Sequence, residues 1–165
     1  MSSSTAKPAI TAAVITVSDS CARGEREDLS GPAVSQALEK RGFVVSVREV
    51  VPDNLIQIQN LLIRLAREVR LIVTTGGTGI APSDVTPEAT NAVCERLLDG
   101  VAELMRSEGL KKTPFAALSR GLCGVRAKAL ILNLPGSPKG AVESFEAVAD
   151  LMPHAVDLLS GNTSH

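Results

Sequence analysis

Apolar runs and helical patterns alternate along this chain. Ile10 to Val17 is a nearly unbroken series of small apolar residues, the pattern of a strand buried on both faces. Phe43 to Val51 alternates, with Phe43, Val45 and Val47 set against Val44, Ser46 and Arg48, and reads as a second strand. Leu71 to Thr75 and Ala129 to Leu134 are two further strand-like runs. Between the first two, Ser30 is the expected N-cap of a helix with Pro32 near its first turn. Ala33, Val34, Ala37 and Leu38 give that helix its buried face, and Gly42 ends it. Leu55, Ile58, Leu62, Leu65 and Val69 recur at steps of three and four, one face of another helix.

After Thr75, Thr86 is the expected cap of a helix with Pro87 at its first position. Glu88 falls in its first turn, where the helix dipole favours an anion. Gly100 and Gly109 punctuate a second helical stretch, and Phe115 to Leu118 reads as a short helical turn. A last helix is expected from about Ala141, interrupted at Pro153, with a final turn over Ala155 to Leu159. No repeat or linker breaks the series. The order strand, helix, strand, helix, strand, helix, helix, strand, helix predicts an α/β three-layer sandwich with a mostly parallel central sheet. One domain over residues 9–161 is expected, preceded by a disordered tail at residues 1–8.

Composition narrows the function classes. Hydrophobic residues make up 44% and charged residues 21% of 165 positions, enough for one sizeable core. No run is long enough to span a membrane, and the polar N-terminus lacks the apolar stretch of a secretory signal. The net charge is −1, there is no basic tract, and Trp and Tyr are absent, so nucleic-acid binding has little support. Cys21, Cys94 and Cys123 are odd in number and lack metal-binding spacing; unpaired thiols fit the cytoplasm. His154 and His165 leave almost no material for histidine chemistry, and His154 reads as structural.

The chemistry collects at the strand ends, where open parallel sheets bind ligands. The first strand delivers Ser18-Asp19-Ser20, the second Pro52-Asp53-Asn54, the third Thr75-Gly76-Gly77-Thr78-Gly79 with Asp84, and the last Pro135-Gly136-Ser137. The glycine loop is not a Walker A loop, since no Gly-Lys-Ser/Thr follows, and Pro82 stands where the dinucleotide fingerprint needs glycine. It reads either as a tight turn with glycines at positive φ or as a phosphate cradle. Asp53 alone reads better as a helix N-cap. Asp84, with the cap at Thr86 already assigned, is left over at the mouth of the loop, where a carboxylate repels phosphate unless a cation intervenes. Mg²⁺ takes one or two carboxylates together with substrate phosphates and waters, and Asp53 and Asp84 could form that pair. Asp19 and Asp28 read as a turn residue and a helix-start residue. Arg120 and Lys139 fit either solvated surface positions or phosphate ligands, and the sequence does not separate these.

Thr74-Thr75-Gly76-Gly77-Thr78-Gly79, Asp84-Val85-Thr86-Pro87-Glu88-Ala89, Leu118-Ser119-Arg120 and Asn133-Leu134-Pro135-Gly136-Ser137-Pro138-Lys139 together resemble the molybdopterin adenylyltransferases of molybdenum cofactor biosynthesis, a family that includes Mog and MoaB proteins and the gephyrin G domain. The resemblance runs from about Ile10 to Gly161. It implies the molybdopterin-binding fold of that family and transfer of AMP from ATP to the terminal phosphate of molybdopterin, releasing pyrophosphate. It implies Mg²⁺ and catalytic roles for Asp53 and Asp84, a molybdopterin-pocket position for Ser119, and a place beside the same cleft for Pro135-Gly136-Ser137. It further implies a homotrimer and a downstream molybdenum-insertion protein that receives the product. A non-catalytic molybdopterin carrier of the same fold is the alternative. Ser83 departs from the family, which often has a basic residue before the aspartate; Arg23, Arg26 or Lys139 could supply the charge instead.

Overall fold

The computed structural model describes residues 6–163. The expected tail therefore falls outside the described residues up to Thr5, while Lys7 within it pairs with Asp157 at 2.7 Å. The chain forms β1 (Thr11–Val17), α1 (Asp19–Ala22), α2 (Ser30–Lys40), β2 (Val44–Val51), α3 (Leu55–Leu65), β3 (Leu71–Thr75) and α4 (Thr86–Val93). It continues through β4 (Arg96–Leu97), α5 (Asp99–Leu110), a 3-10 turn (Pro114–Leu118), β5 (Cys123–Arg126), β6 (Ala129–Leu134), α6 (Pro138–Val148) and α7 (Leu151–Leu159).

The strands form one sheet in the order β2-β1-β3-β6-β5-β4. β1 pairs in parallel with β2 and β3, and β3 with β6. Period-two alternation along the central strands sends side chains to two separate cores. Val14, Val73 and Leu132 pack with Leu38, Met105 and Phe145, from α2, α5 and α6. Ile15, Ile72 and Ile131 pack on the other face with Ile58, Leu62 and Val93, from α3 and α4. Each fully buried side chain of this size contributes roughly 1.5–3 kcal/mol. β2 is an edge strand, which is why its polar and apolar residues alternate more visibly than those of β1.

Local departures from expectation have local causes. The sheet's antiparallel edge, β4-β5-β6, was not expected: β4 has only two residues and β5 carries Gly124, too little for a periodic signal. Gly124 is required there, because a Cβ would meet the Cys94 side chain. Ser30 does not cap α2. Leu29 is the N-cap, and Asp28 accepts the Gly31 N–H at 2.9 Å and the Thr16 hydroxyl at 2.7 Å. Thr86 is the first residue of α4 rather than its cap, and its hydroxyl donates to the Gly76 carbonyl. Gly100 and Gly109 lie within the single helix α5, and Pro153 sits in the first turn of α7. Asn54, not Asp53, caps α3, accepting the Gln57 N–H at 3.0 Å.

All three cysteines are free. Burial pushes the Cys94 thiol up to about 11 and the Cys123 thiol up to about 12. At pH 8 their thiolate fractions are then on the order of 10⁻³ and 10⁻⁴. Iodoacetamide on the native protein at pH 8 is expected to alkylate Cys21, which is partly exposed, and to spare Cys94 and Cys123 until the chain unfolds. Mass spectrometry of the labelled protein checks this; rapid native labelling of Cys94 would contradict it.

Candidate active site

The strand order reverses direction at β1 and β3, the switch point beyond which open α/β sheets hold ligands. Here the two strand ends nearly touch. Gly76 has φ +104°, and a Cβ on it would overlap the Val17 carbonyl oxygen. Its amide donates to the Leu134 carbonyl at 3.1 Å, so it belongs to the sheet ladder and is not free for an anion. The amides of Gly77, Thr78 and Gly79 donate to no protein acceptor among the described residues. Thr75 donates its hydroxyl to the Pro135 carbonyl at 2.7 Å, which binds the end of β3 to the loop after β6.

Two carboxylates flank this loop. A Cβ on Gly77 would lie 3.2 Å from Asp53 Oδ1, and one on Gly79 would lie 2.9 Å from Asp84 Oδ2. Gly77, at φ +69°, is required first by its backbone and by the Thr86 hydroxyl its Cβ would overlap, and Gly79 by the Asp84 carboxylate. Asp84 accepts the Ala81 N–H at 2.9 Å. Asp53, freed from capping by Asn54, is locked differently. Its carboxylate accepts the Asp19 N–H at 3.1 Å, while the Asp19 carboxylate accepts the Asp53 N–H at 2.9 Å. Burial first, then the charges of Asp19 and Asp84, hold the Asp53 carboxyl above its ordinary value, against the opposing pull of the Asp19 N–H.

Three cavities each take two of the residues Pro135, Gly136 and Ser137 into their lining. A cavity of about 370 Å³ is lined by Ser18, Thr75, Gly76 and Gly77, by both Asp53 and Asp84, and by Gly136 and Ser137. A shallower one of about 510 Å³ runs along Thr78, Gly79, Ser119 and Pro135. A third, of about 240 Å³, lies between α5 and the Pro135 loop and touches Ser119, Pro135 and Ser137. The sequence-derived site residues thus converge, except that Asp19 acts behind Asp53 rather than lining the cavity. Ser137 also caps α6, accepting the Gly140 N–H at 3.2 Å. Of the cations considered for the charge absent at Ser83, Arg26 lines the Asp53–Asp84 cavity. Arg23 is forked onto Glu25, and Lys139 is solvated near Glu143.

Arg120 is a clamp, neither idle surface nor free cation. Its Nε donates to the Gly79 carbonyl at 2.8 Å, its Nη2 to the Asp84 carbonyl at 2.9 Å, and its Nη1 pairs with Glu88. It therefore fixes both ends of the segment from Gly79 to Asp84. Arg120→Ala is expected to cost about 1–3 kcal/mol of stability through the lost charge-assisted bonds. Arg120→Lys should recover only a small part, because an ammonium lacks the planar fork. Urea unfolding of the three proteins reads this, and an unchanged midpoint in Arg120→Ala would refute the clamp. Buried Asn133 completes the scaffold. Its Nδ2 donates to the Thr74 and Thr90 hydroxyls, and its Oδ1 accepts the Leu122 N–H at 3.1 Å. Asn133 falls within the Asn133-Leu134-Pro135 motif, yet its sequence context assigns it no role beyond a polar residue in the apolar run of β6.

Among the described residues, no group of three or more His, Cys, Asp or Glu side chains could hold a metal ion by itself. No helix among them is long and apolar enough to cross a membrane. His154 lies on the exposed side of α7.

Comparison with known proteins accords with this geometry. Residues 13–154 match the family described as "Probable molybdopterin binding domain". The molybdopterin adenylyltransferase of Helicobacter pylori is 44% identical over 155 residues, covering 90% of this chain and 87% of that protein. The Drosophila melanogaster molybdenum cofactor synthesis protein cinnamon is 43% identical over 94% of this chain, which spans only 26% of its length. The molybdopterin biosynthesis enzyme MoaB of Thermus thermophilus superposes with a TM-score of 0.87 at 51% identity, covering 92% of this chain and 97% of that one. A family match over residues 13–154, with sequence identity and a shared fold over most of the chain, places this protein in the molybdopterin-binding domain family of molybdenum cofactor biosynthesis.

Proposed function

We propose that this protein transfers the adenylyl group of ATP to the terminal phosphate of molybdopterin, giving adenylyl-molybdopterin and pyrophosphate. The observation that carries the reading is the pair Asp53 and Asp84, set beside a loop with three amides that meet no acceptor among the described residues, and lining one cavity. Two half-buried carboxylates facing a phosphate-binding loop repel their own ligand unless a cation is shared between them. The donor set fits Mg²⁺, which binds through one or two carboxylates plus phosphate oxygens. When bound, the ion would neutralise charge on the transferring phosphate.

The chain's own residues would do the rest by positioning. A phosphate oxygen of molybdopterin is already a competent nucleophile. It forms a bond to the α-phosphorus of ATP as the bond from that phosphorus to the oxygen bridging the α- and β-phosphates breaks and pyrophosphate leaves, so no histidine or cysteine is required. Gly77, Thr78 and Gly79 would donate their amides to phosphate oxygens. Asp19 would hold Asp53, and Arg120 would hold the loop that carries Asp84. Ser119 and Ser137 would contact the molybdopterin side. Homotrimeric assembly, a cytoplasmic location and hand-over to a molybdenum-insertion protein belong to the same reading.

The reaction is tested by pyrophosphate release under anaerobic conditions. Release is expected with ATP, Mg²⁺ and molybdopterin together and is lost on omitting any one. Molybdopterin binding without release would make the chain a carrier instead.

A further inference from the structure

The cavity that holds Asp53 and Asp84 contains one cation that the adenylyl-transfer reading leaves without a task. Four carboxylates line it, those of Glu27, Asp28, Asp53 and Asp84, and among the described residues Arg26 is the only Lys or Arg that does. Arg26 is exposed, and its side chain meets no acceptor among the described residues. Two neighbouring acids are engaged elsewhere. Glu25 is held by the fork of Arg23 at 3.0 and 3.1 Å, and Asp28 accepts the Thr16 hydroxyl and the Gly31 N–H. The backbone around Arg26 is tethered on both sides. The Glu25 N–H donates to the Ser20 carbonyl at 2.9 Å, and Asp28 ties the loop to β1 and α2. An arginine on a fixed loop with a free fork is prepared to take a phosphate bidentately.

Sheet order gives the direction. β1 and β6 lie on either side of β3. The Arg26 loop follows β1 and the Pro135-Gly136-Ser137 loop follows β6, so the glycine loop after β3 stands between them. In-line displacement puts the entering oxygen and the leaving group on opposite sides of the α-phosphorus. With molybdopterin entering from the Ser137 side, the β- and γ-phosphates depart toward Arg26. ATP brings more negative charge than one divalent ion offsets, so an acid-lined cavity needs a further cation at that end. We propose that Arg26 holds the β- and γ-phosphates of ATP and receives the charge of the leaving pyrophosphate. This rests on the reading of ATP as the adenylyl donor. The molybdopterin phosphate oxygen bonds to the α-phosphorus, the bond from that phosphorus to the bridging oxygen breaks, and its electron pair stays on the pyrophosphate. Arg26 donates N–H groups to that growing charge and gives up no proton.

The test is equilibrium titration of pyrophosphate, ATP and AMP, each with Mg²⁺, on the parent protein and three variants. Arg26→Gln removes charge and fork, and Arg26→Lys keeps the charge alone. Arg26 is exposed and unpaired, so neither substitution removes a contact of the fold. Lys128→Gln is the control for net charge; Lys128 is exposed in the turn before β6, whereas the site lies beyond the end of that strand. Arg26→Gln is expected to weaken pyrophosphate and ATP binding about tenfold, the scale of one charge-assisted contact. Arg26→Lys should lose about threefold, because an ammonium lacks the fork. All affinities of Lys128→Gln, and AMP affinity throughout, should stay within about twofold of the parent. Equal loss of AMP and pyrophosphate affinity in Arg26→Gln would put Arg26 at the α-phosphate and overturn the proposal. So would pyrophosphate and ATP affinities unchanged in Arg26→Gln, or a matching loss in Lys128→Gln, the mark of diffuse charge alone. A parent protein that binds neither ATP nor pyrophosphate defeats the adenylyl-donor reading itself, a result distinct from parent binding that Arg26→Gln shares.

Discussion

Asp53→Asn and Asp84→Asn are each expected to slow adenylyl transfer by about 10²–10³-fold, the scale of losing one preorganised charge contact to the transferring phosphate. Neither change should harm the fold, because neither side chain is a cap and both substitutions keep an acceptor for the Asp19 or Ala81 amide. Asp53 adds a second readout. Its carboxyl is held above its ordinary value, so the folded chain binds that proton more tightly than the unfolded chain does. Ionised Asp53 therefore lowers the stability of the metal-free protein as pH rises from the ordinary carboxylate value past the folded one. Below the ordinary value both states are protonated and the contribution disappears. In EDTA at pH 7, Asp53→Asn should melt at or above the parent temperature, and the gap should close as pH falls toward 4. Added Mg²⁺ and ATP should raise the parent's melting temperature and leave the variant's unchanged. A variant that melts well below the parent, or one that retains full activity, would mean that Asp53 is structural.

Gly76→Ala should be the most destabilising single-methyl change in the loop. Positive φ costs a residue with a Cβ about 1–2 kcal/mol. Overlap with the Val17 carbonyl, a backbone atom of the central strand, adds about 1–3 kcal/mol of overpacking. At about 2–4 °C per kcal/mol for a chain of this size, the melting temperature should fall by roughly 10 °C. Gly24→Ala is the internal control. Gly24 has φ +73° but nothing within 4 Å of its Cβ position, so only the conformational cost applies. Equal losses at the two positions would show that the contact between β1 and β3 contributes nothing. Differential scanning calorimetry on both variants decides the matter.

The parts of the fold visible in the sequence are those whose signal is local. β1, β3 and β6 read as buried strands because parallel central strands are apolar on both faces, and α3 was visible in its period. The β4–β5 edge was not visible, since its pairing lies between residues almost thirty positions apart and its strands are short. Capping proved ambiguous wherever two candidates adjoined. Asp28 and Ser30, or Asp53 and Asn54, compete by sequence, and only backbone direction selects between them. The outcome at Asn54 matters to function, because it frees Asp53 to face the glycine loop. The site residues converge because strand ends in such a sheet share one edge. Their support was not legible. Arg120 reaches Gly79, Asp84 and Glu88 across 41, 36 and 32 residues of sequence, and no motif encodes such a clamp.

The central claim concerns the fate of the α-phosphate of ATP. The protein should be incubated anaerobically with molybdopterin, Mg²⁺ and ATP labelled at the α-phosphorus, and the pterin fraction examined by mass spectrometry. The account predicts a labelled product heavier than molybdopterin by one adenylyl group, formed in equal amount with pyrophosphate and absent with Asp84→Asn. Unmodified molybdopterin with intact ATP, or label released as free AMP with no pterin adduct, would contradict it.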